Sequence, residues 1–148
     1  MQIELLEADR VQSIIGAFYE VYRYFHGHGL NENIYANAMA WELGIRGHQV
    51  DREFRIAVSY KGHRVGKQRL DLVVDGTVIV ETKATELLSL AASRQLLCYL
   101  RASPFTVGLL LHFGPRPNFK KFVDFPKPTI DSITIHPTNP GPKPEKEA

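Results

Sequence analysis

The stretch that most constrains the fold runs over residues 70–84, Leu-Asp-Leu-Val-Val-Asp-Gly-Thr-Val-Ile-Val-Glu-Thr-Lys-Ala. Two apolar runs rich in β-branched residues flank Asp75-Gly76, a dipeptide that strongly favours a tight β-hairpin turn. The second run is continuously apolar over residues 78–80, which is typical of a strand covered on both faces. The sequence therefore predicts a buried hairpin that turns at Asp75-Gly76.

Three charges lie where a buried hairpin should have none: Asp71, Glu81 and Lys83. The two-residue period of a strand places Glu81 and Lys83 on one face. A strict two-residue loop would pair Asp71 with Val80 and turn its carboxylate to the opposite face. A three-residue loop ending at Thr77, or a β-bulge in the first strand, would instead pair Asp71 with Glu81, and we predict this arrangement.

Two carboxylates and an ammonium that converge at a strand end are a candidate site for a divalent cation and a phosphate. The simpler alternative is that Glu81 and Lys83 form a solvated pair on an exposed face. The apolar run before them favours the site, because a charge at the end of a buried strand is costly unless it is paired or coordinated.

The length and charge of the chain limit its class. A chain of 148 residues that is 44% hydrophobic fits one globular domain, and we predict that domain over residues 1–136. The formal net charge of +2 indicates no partner, but residues 46–69 contain seven basic and two acidic residues, a net charge of +5. Such a segment suits a polyanionic substrate, with Lys67 and Arg69 as candidate contacts, although a solvated basic hairpin is an equal alternative.

Three further observations bear on location. The lone Cys98 excludes an internal disulfide and a four-cysteine metal site. The first residues do not resemble a signal peptide, and no apolar run approaches the ~18 residues of a membrane span, so we expect a cytoplasmic protein with no membrane partner. Residues 137–148 contain four prolines among Gly, Lys and Glu and are predicted to be a disordered tail.

Helical spacing of apolar residues predicts three helices. The first covers residues 8–26 and ends at the glycine-rich residues 26–29. The second covers residues 31–47 with Asn31 as its cap, and the third covers residues 89–103 with Ser89 as its cap.

The remaining patterns predict strands. Apolar alternation indicates a strand over residues 50–60, and residues 107–114 form an apolar run that we expect to pair parallel to residues 78–80 through a helical crossover. Residues 115–121 are predicted to be a loop, and residues 130–136 an edge strand. These elements indicate an α/β fold with a central mixed β-sheet flanked by helices.

Three helical residues have both an ordinary and a functional interpretation. Glu32 lies in the first turn of the second helix, where it interacts favourably with the helix dipole, or where it supplies a third carboxylate to the site. Gln95 and Tyr99 are four residues apart and share one face of the third helix. That face either points at the carboxylates or forms a common Gln-Tyr pair at the helix margin.

Taken in order, these residues resemble the PD-(D/E)XK nuclease superfamily, and within it a small bacterial group named for a GxxExxY motif, over about residues 14–125. Four motifs account for the resemblance: Gly29, Glu32 and Tyr35 for GxxExxY, Asp71 for the isolated acidic residue, Glu81-Thr82-Lys83 for the (D/E)XK element, and Gln95 with Tyr99 for the QxxxY pattern of the following helix. Leu70 stands where the superfamily name implies proline, a position that varies among relatives.

The resemblance implies a restriction-endonuclease-like core and metal-dependent hydrolysis of phosphodiester bonds in nucleic acid, with DNA as the expected substrate. It implies that Asp71, Glu81 and Glu32 bind Mg²⁺ or Mn²⁺, that Lys83 and Gln95 join them in catalysis, and that Tyr99, Tyr35, Arg69 and Lys67 contact the substrate. One alternative is a catalytically silent module of the same fold that binds nucleic acid or a partner protein. Hydrolysis of a sugar by a carboxylate pair is disfavoured, because it would need neither Lys83 nor the basic segment. Homo-oligomer formation is left open.

Overall fold

The computed structural model describes residues 2–124 together with Thr134 and Ile135. Its elements are helices α1 (Gln2–Tyr24), α2 (Glu32–Ile45) and α3 (Leu90–Arg101), and strands β1 (Val50–Tyr60), β2 (His63–Val74), β3 (Val78–Lys83), β4 (Val107–Phe113), β5 (Pro117–Val123) and β6 (Thr134–Ile135). The strands form one sheet in the order β5-β4-β3-β2-β1-β6. The β3–β4 pair is parallel and the other pairs are antiparallel. The predicted fold class, a mixed sheet flanked by helices, is confirmed.

Helices cover both faces of the sheet. On one face, α1 and α2 contribute residues such as Phe18 to a core that includes Val80 of β3. On the other face, α3 contributes Leu96 to a second core that includes Ile79. Because neighbouring residues of β3 belong to different cores, this strand is buried on both sides, as its continuous apolar run predicts.

The β2–β3 hairpin has the extra residue that the sequence predicts. Val74 pairs with Val78 and Leu72 pairs with Val80, so the loop has three residues, 75–77. Asp75 and Gly76 both adopt positive φ angles, 53° and 69°, which Asp and Gly tolerate better than most residues. In this register, the next residues to face each other are Asp71 and Glu81.

The turn is anchored through the Asp75 carboxylate. It accepts hydrogen bonds from Arg10 Nε at 2.9 Å and from the Gln49 backbone N at 2.8 Å, and it lies 2.7 Å from His48 Nδ1. Burial raises the Asp75 pKa, but hydrogen bonds from His48, Arg10 and the Gln49 backbone outweigh it and lower the pKa to about 2. These contacts tie the turn to α1 and to the start of β1.

One predicted loop and one predicted helix start are wrong. Residues 115–121 do not form a loop, because residues 117–123 pair with β4 as β5, with Phe119 opposite Leu111. As a half-exposed outer strand with Lys120 and Lys121 turned to solvent, β5 lacks the apolar run by which a buried strand is recognised. Helix α1 also begins earlier than residue 8, at Gln2.

Other predictions are tested only in part. Thr134 and Ile135 pair with Ala57 and Ile56, as the predicted edge strand requires, but the rest of residues 130–136 and the tail at 137–148 lie outside the described residues. Within the described residues, none of the helices is long and apolar enough to cross a membrane.

Candidate active site

The carboxylates of Asp71 and Glu81 meet where the β2–β3 ladder ends. The Asp71 backbone N donates to Glu81 Oε2 at 3.0 Å. Thr82 donates to Asp71 Oδ2 twice, from its backbone N at 3.0 Å and from Oγ1 at 3.1 Å. Each carboxylate therefore accepts a backbone N–H of the opposite strand just beyond the last pair of the ladder. This reciprocal arrangement holds the two carboxylates together, as the predicted register requires.

Burial makes Glu81 an unusual carboxyl group. Glu81 is only 5% exposed to solvent. Burial, followed by the negative charge of Asp71, raises the pKa of Glu81 to about 8, although the hydrogen bond from the Asp71 backbone N and the charge of Lys83 oppose the shift. Without a cation, this shift favours the protonated form of the Glu81 carboxyl. A bound cation would favour the ionised form.

Lys83 brings its ammonium to the same place. Its Nζ lies 3.4 Å from Gln95 Oε1 on α3. Its charge opposes the upward pKa shifts of both Glu81 and Glu32, so both carboxyls lie within its electrostatic reach. Gln95 and Lys83 are thus brought together in the structure.

Glu32 approaches from the other side of the sheet. It is the first residue of α2, whose cap Asn31 accepts a hydrogen bond from the Asn33 backbone N at 2.8 Å. Its pKa is raised by burial first, lowered by the charge of Lys83 and raised by that of Asp71. Glu32 therefore lies within the electrostatic reach of the site, at its margin.

Arg52 on β1 connects the Glu32 side of the site to β2, and the sequence patterns did not identify it. Its guanidinium donates to the side-chain oxygens of Asn33 at 2.8 Å and Asn37 at 3.0 Å on α2. A third hydrogen bond, at 2.8 Å, reaches the backbone O of Asp71. Arg52 therefore links the helix that carries Glu32 to the strand that carries Asp71. The four-residue spacing of the two asparagines was the available signal.

Tyr99 occupies the α3 side of the site. It is buried, and its Oη accepts a hydrogen bond from Gln68 Nε2 at 3.1 Å. Burial raises its pKa to about 12, with contributions from the negative charges of Glu81 and Asp71. The helix face that carries Gln95 and Tyr99 therefore points at the carboxylates. Gln68, which sequence patterns did not single out, holds the phenol in place.

Tyr35 requires a correction. It is fully buried, stacks on Phe113 with ring centroids 4.4 Å apart, and accepts a hydrogen bond from the Leu30 backbone N at 3.0 Å. A side chain so enclosed does not contact a substrate. Together with Gly29, whose φ of 125° favours glycine, it shapes the turn that presents Glu32.

The two predicted basic contacts are exposed on β2. Arg69 forms an exposed ion pair with Glu53, at 3.5 Å, and its charge opposes the raised pKa of Tyr99, which places it near the site. Lys67 is exposed, two residues further along β2.

The residues present fit a hard divalent cation. Hydrogen bonds within the described residues use Asp71 Oδ2 and Glu81 Oε2, which leaves a second oxygen on each carboxylate as a ligand. In the same part of the chain, no three His, Cys, Asp or Glu side chains gather closely enough to hold an ion by themselves. Mg²⁺ is commonly held by one or two carboxylates, water and substrate phosphate, so two carboxylates suffice. The predicted ligation by Glu32 stays a prediction.

Comparison with known proteins agrees with this geometry. No curated protein and no solved structure matched the chain. A family model described as the PD-(D/E)XK nuclease superfamily matches residues 8–122, which span α1 to β5 and include every site residue named above. The match does not distinguish the GxxExxY group, which stays a prediction. Because the match covers most of the chain, the chain belongs to the PD-(D/E)XK nuclease superfamily.

Proposed function

We propose that this protein is a metal-dependent nuclease that hydrolyses phosphodiester bonds of DNA. The observation that best supports the proposal is the reciprocal hydrogen bonding of Asp71 and Glu81, with the positive charge of Lys83 acting on Glu81. Burying a carboxyl next to a second carboxylate is electrostatically costly, and a cation bound by both would offset that cost.

In this proposal, Asp71 and Glu81 hold Mg²⁺ or Mn²⁺, and Glu32 contributes at the margin of the site. The cation would supply a Lewis acid that neutralises phosphate charge and acidifies a water molecule. Lys83 places a positive charge where the phosphate becomes more negative in the transition state. Gln95 orients the ammonium through its Oε1, and Tyr99 supports this side of the site.

A cleavage assay tests the proposal. Supercoiled and linear DNA would be incubated with the protein in Mg²⁺, in Mn²⁺ and in chelator. We expect cleavage only with metal, and losses on the order of 10²-fold or more for Asp71→Asn and Lys83→Ala. The matched control is Asp9→Asn, which changes an exposed carboxylate on α1 and should cleave like the wild type. Full activity of either site variant would contradict the proposal.

Calorimetric titration with Mg²⁺ separates this function from that of a silent module of the same fold. The nuclease should take up the ion, and Glu81→Gln should weaken that uptake because it removes a carboxylate ligand. Asp9→Asn should leave it unchanged. Absence of carboxylate-dependent uptake would favour the silent module.

A further inference from the structure

The β1–β2 ribbon continues beyond the rest of the sheet. The β2–β3 ladder ends at the pair of Leu72 with Val80. Strands β1 and β2 remain paired from Phe54–Leu70 to Tyr60–His63. We call residues 54–70 the β1–β2 arm. Along this length, the structure also describes the pairing of Ile56 and Ala57 with the two residues of β6.

The arm is basic and exposed. Residues 54–70 include five Arg or Lys residues and no Asp or Glu, a formal charge of +5. All five are exposed: Arg55, Lys61, Arg64, Lys67 and Arg69. Among the ion pairs of the described residues, the arm takes part in one, that of Arg69 with Glu53. Within that described part of the chain, most of the arm's charge therefore has no acidic partner.

The charges concentrate on one face of the arm. Arg55 lies directly opposite Arg69, and Lys67 lies opposite Ala57, so the two-residue period places all three basic side chains on the same face. The other face carries Phe54, Ile56 and Leu70, which pack into the core beneath α3. Like charges directly opposite each other destabilise a strand pair. Packing does not explain the Arg55–Arg69 pair, whereas an anion lying across both side chains would.

We propose that the β1–β2 arm binds the phosphate backbone of duplex DNA on one side of the cleavage site. The placement relative to cleavage rests on the proposed function, since Asp71 follows Arg69 by two residues on β2. From Leu70 to Gly62, the arm spans eight residues, or ~26 Å at ~3.3 Å per residue, which corresponds to about eight base pairs at ~3.4 Å each.

The chemistry of the basic face favours a duplex over a single strand. Proteins that bind single strands stack the bases on aromatic side chains. The register gives the face of Arg55, Ala57, Lys67 and Arg69 no aromatic ring. The opposed Arg55 and Arg69, with Lys67 next to them on the same face of a paired ribbon, instead suit the regular phosphates of a duplex.

The test measures binding in chelator, where metal-dependent cleavage cannot occur. Fluorescence anisotropy would follow labelled 24-base-pair and 8-base-pair duplex DNA, a 24-nucleotide single strand and a 24-base-pair RNA duplex at several salt concentrations. The arm variant is the double substitution Arg55→Ala with Lys67→Ala. The matched control is Lys120→Ala with Lys121→Ala, which removes two exposed charges from β5, at the opposite end of the strand order.

For the 24-base-pair DNA duplex, the arm variant should bind about tenfold more weakly at 0.1 M salt, and its salt slope should fall by ~1.8, that is, ~0.9 for each lost phosphate contact. The control variant should change neither the affinity nor the salt slope by a comparable amount. The wild type should bind the 24-base-pair duplex more tightly than the 8-base-pair duplex. Circular dichroism would verify that both variants keep the fold.

Unchanged binding by the arm variant, an equal loss in the control, no binding by the wild type, or preference for the single strand or the RNA duplex would each overturn the inference. The cleavage assay separates the two proposals. Arm-dependent binding without cleavage would refute only the nuclease function, whereas cleavage with arm-independent binding would refute only the role of the arm.

Discussion

Glu81→Gln tests the electrostatics of the site through folding stability. The pKa of Glu81 rises from an ordinary 4.5 to about 8 in the folded protein, through burial first and the charge of Asp71 second. A carboxyl whose folded pKa is raised stabilises the fold fully below its unfolded pKa, and this stability is lost as the pH rises towards the folded pKa. The interval from the unfolded pKa of 4.5 to pH 7 is 2.5 pH units. At 1.36 kcal/mol per pH unit, the wild type loses ~3 kcal/mol of folding stability by pH 7.

The amide of Glu81→Gln does not ionise, yet its oxygen still accepts the hydrogen bond from the Asp71 backbone N. In chelator, the free energy of unfolding of the variant relative to the wild type should therefore increase by ~3 kcal/mol between pH 4.5 and pH 7. Urea denaturation at half-unit pH steps measures this difference. The control Glu20→Gln changes a half-exposed carboxylate on α1, and its difference should stay within ~0.5 kcal/mol.

Added Mg²⁺ should stabilise the wild type more than the variant, and so narrow the gap at pH 7, because binding to the folded state alone raises its stability. Uptake by the wild type below pH 8 should release a proton from Glu81, which calorimetry in buffers of different ionisation enthalpy detects. A difference that stays flat from pH 4.5 to pH 7 would refute the reasoning, since it would mean that Glu81 ionises normally despite its burial.

Three further substitutions test the supports of the site. Asp75→Ala should remove the stability that its lowered pKa of about 2 provides above pH 3.8, ~2 kcal/mol that the wild type loses as the pH falls towards 2; acid unfolding compares the two. Tyr99→Phe keeps the ring but loses the hydrogen bond from Gln68, which should cost ~1 kcal/mol in urea denaturation; an unchanged unfolding midpoint would contradict it. Arg52→Ala leaves the Asp71 backbone O without its partner, which should cost ~1–3 kcal/mol and lower the cleavage rate; loss of stability with full activity would show that Arg52 does not position the site.

Local patterns predict much of the fold. The caps Asn31 and Ser89 mark the starts of α2 and α3 as expected, because capping depends on a few neighbouring residues. Local patterns do not predict strand β5, because its identity as a strand depends on pairing with β4 and not on its own apolar content. Helical periodicity places Gln95 and Tyr99 on one face of α3, but that face lies towards the site only because α3 crosses back over the sheet.

The amino-acid sequence alone located the hairpin within residues 70–84 and placed Glu81 and Lys83 on one face of a strand, since turn signals and the two-residue strand period are local properties. The sequence allowed more than one loop length, and the structure decided the three-residue loop that brings Asp71 beside Glu81. Only the tertiary structure decided that Arg52 connects α2 to β2 and that Tyr35 belongs to the core. It also decided how deeply Glu81 is buried, which raises the pKa of its carboxyl. These features arise from contacts between elements distant in the chain, where burial and neighbouring charges set the energy of each side chain.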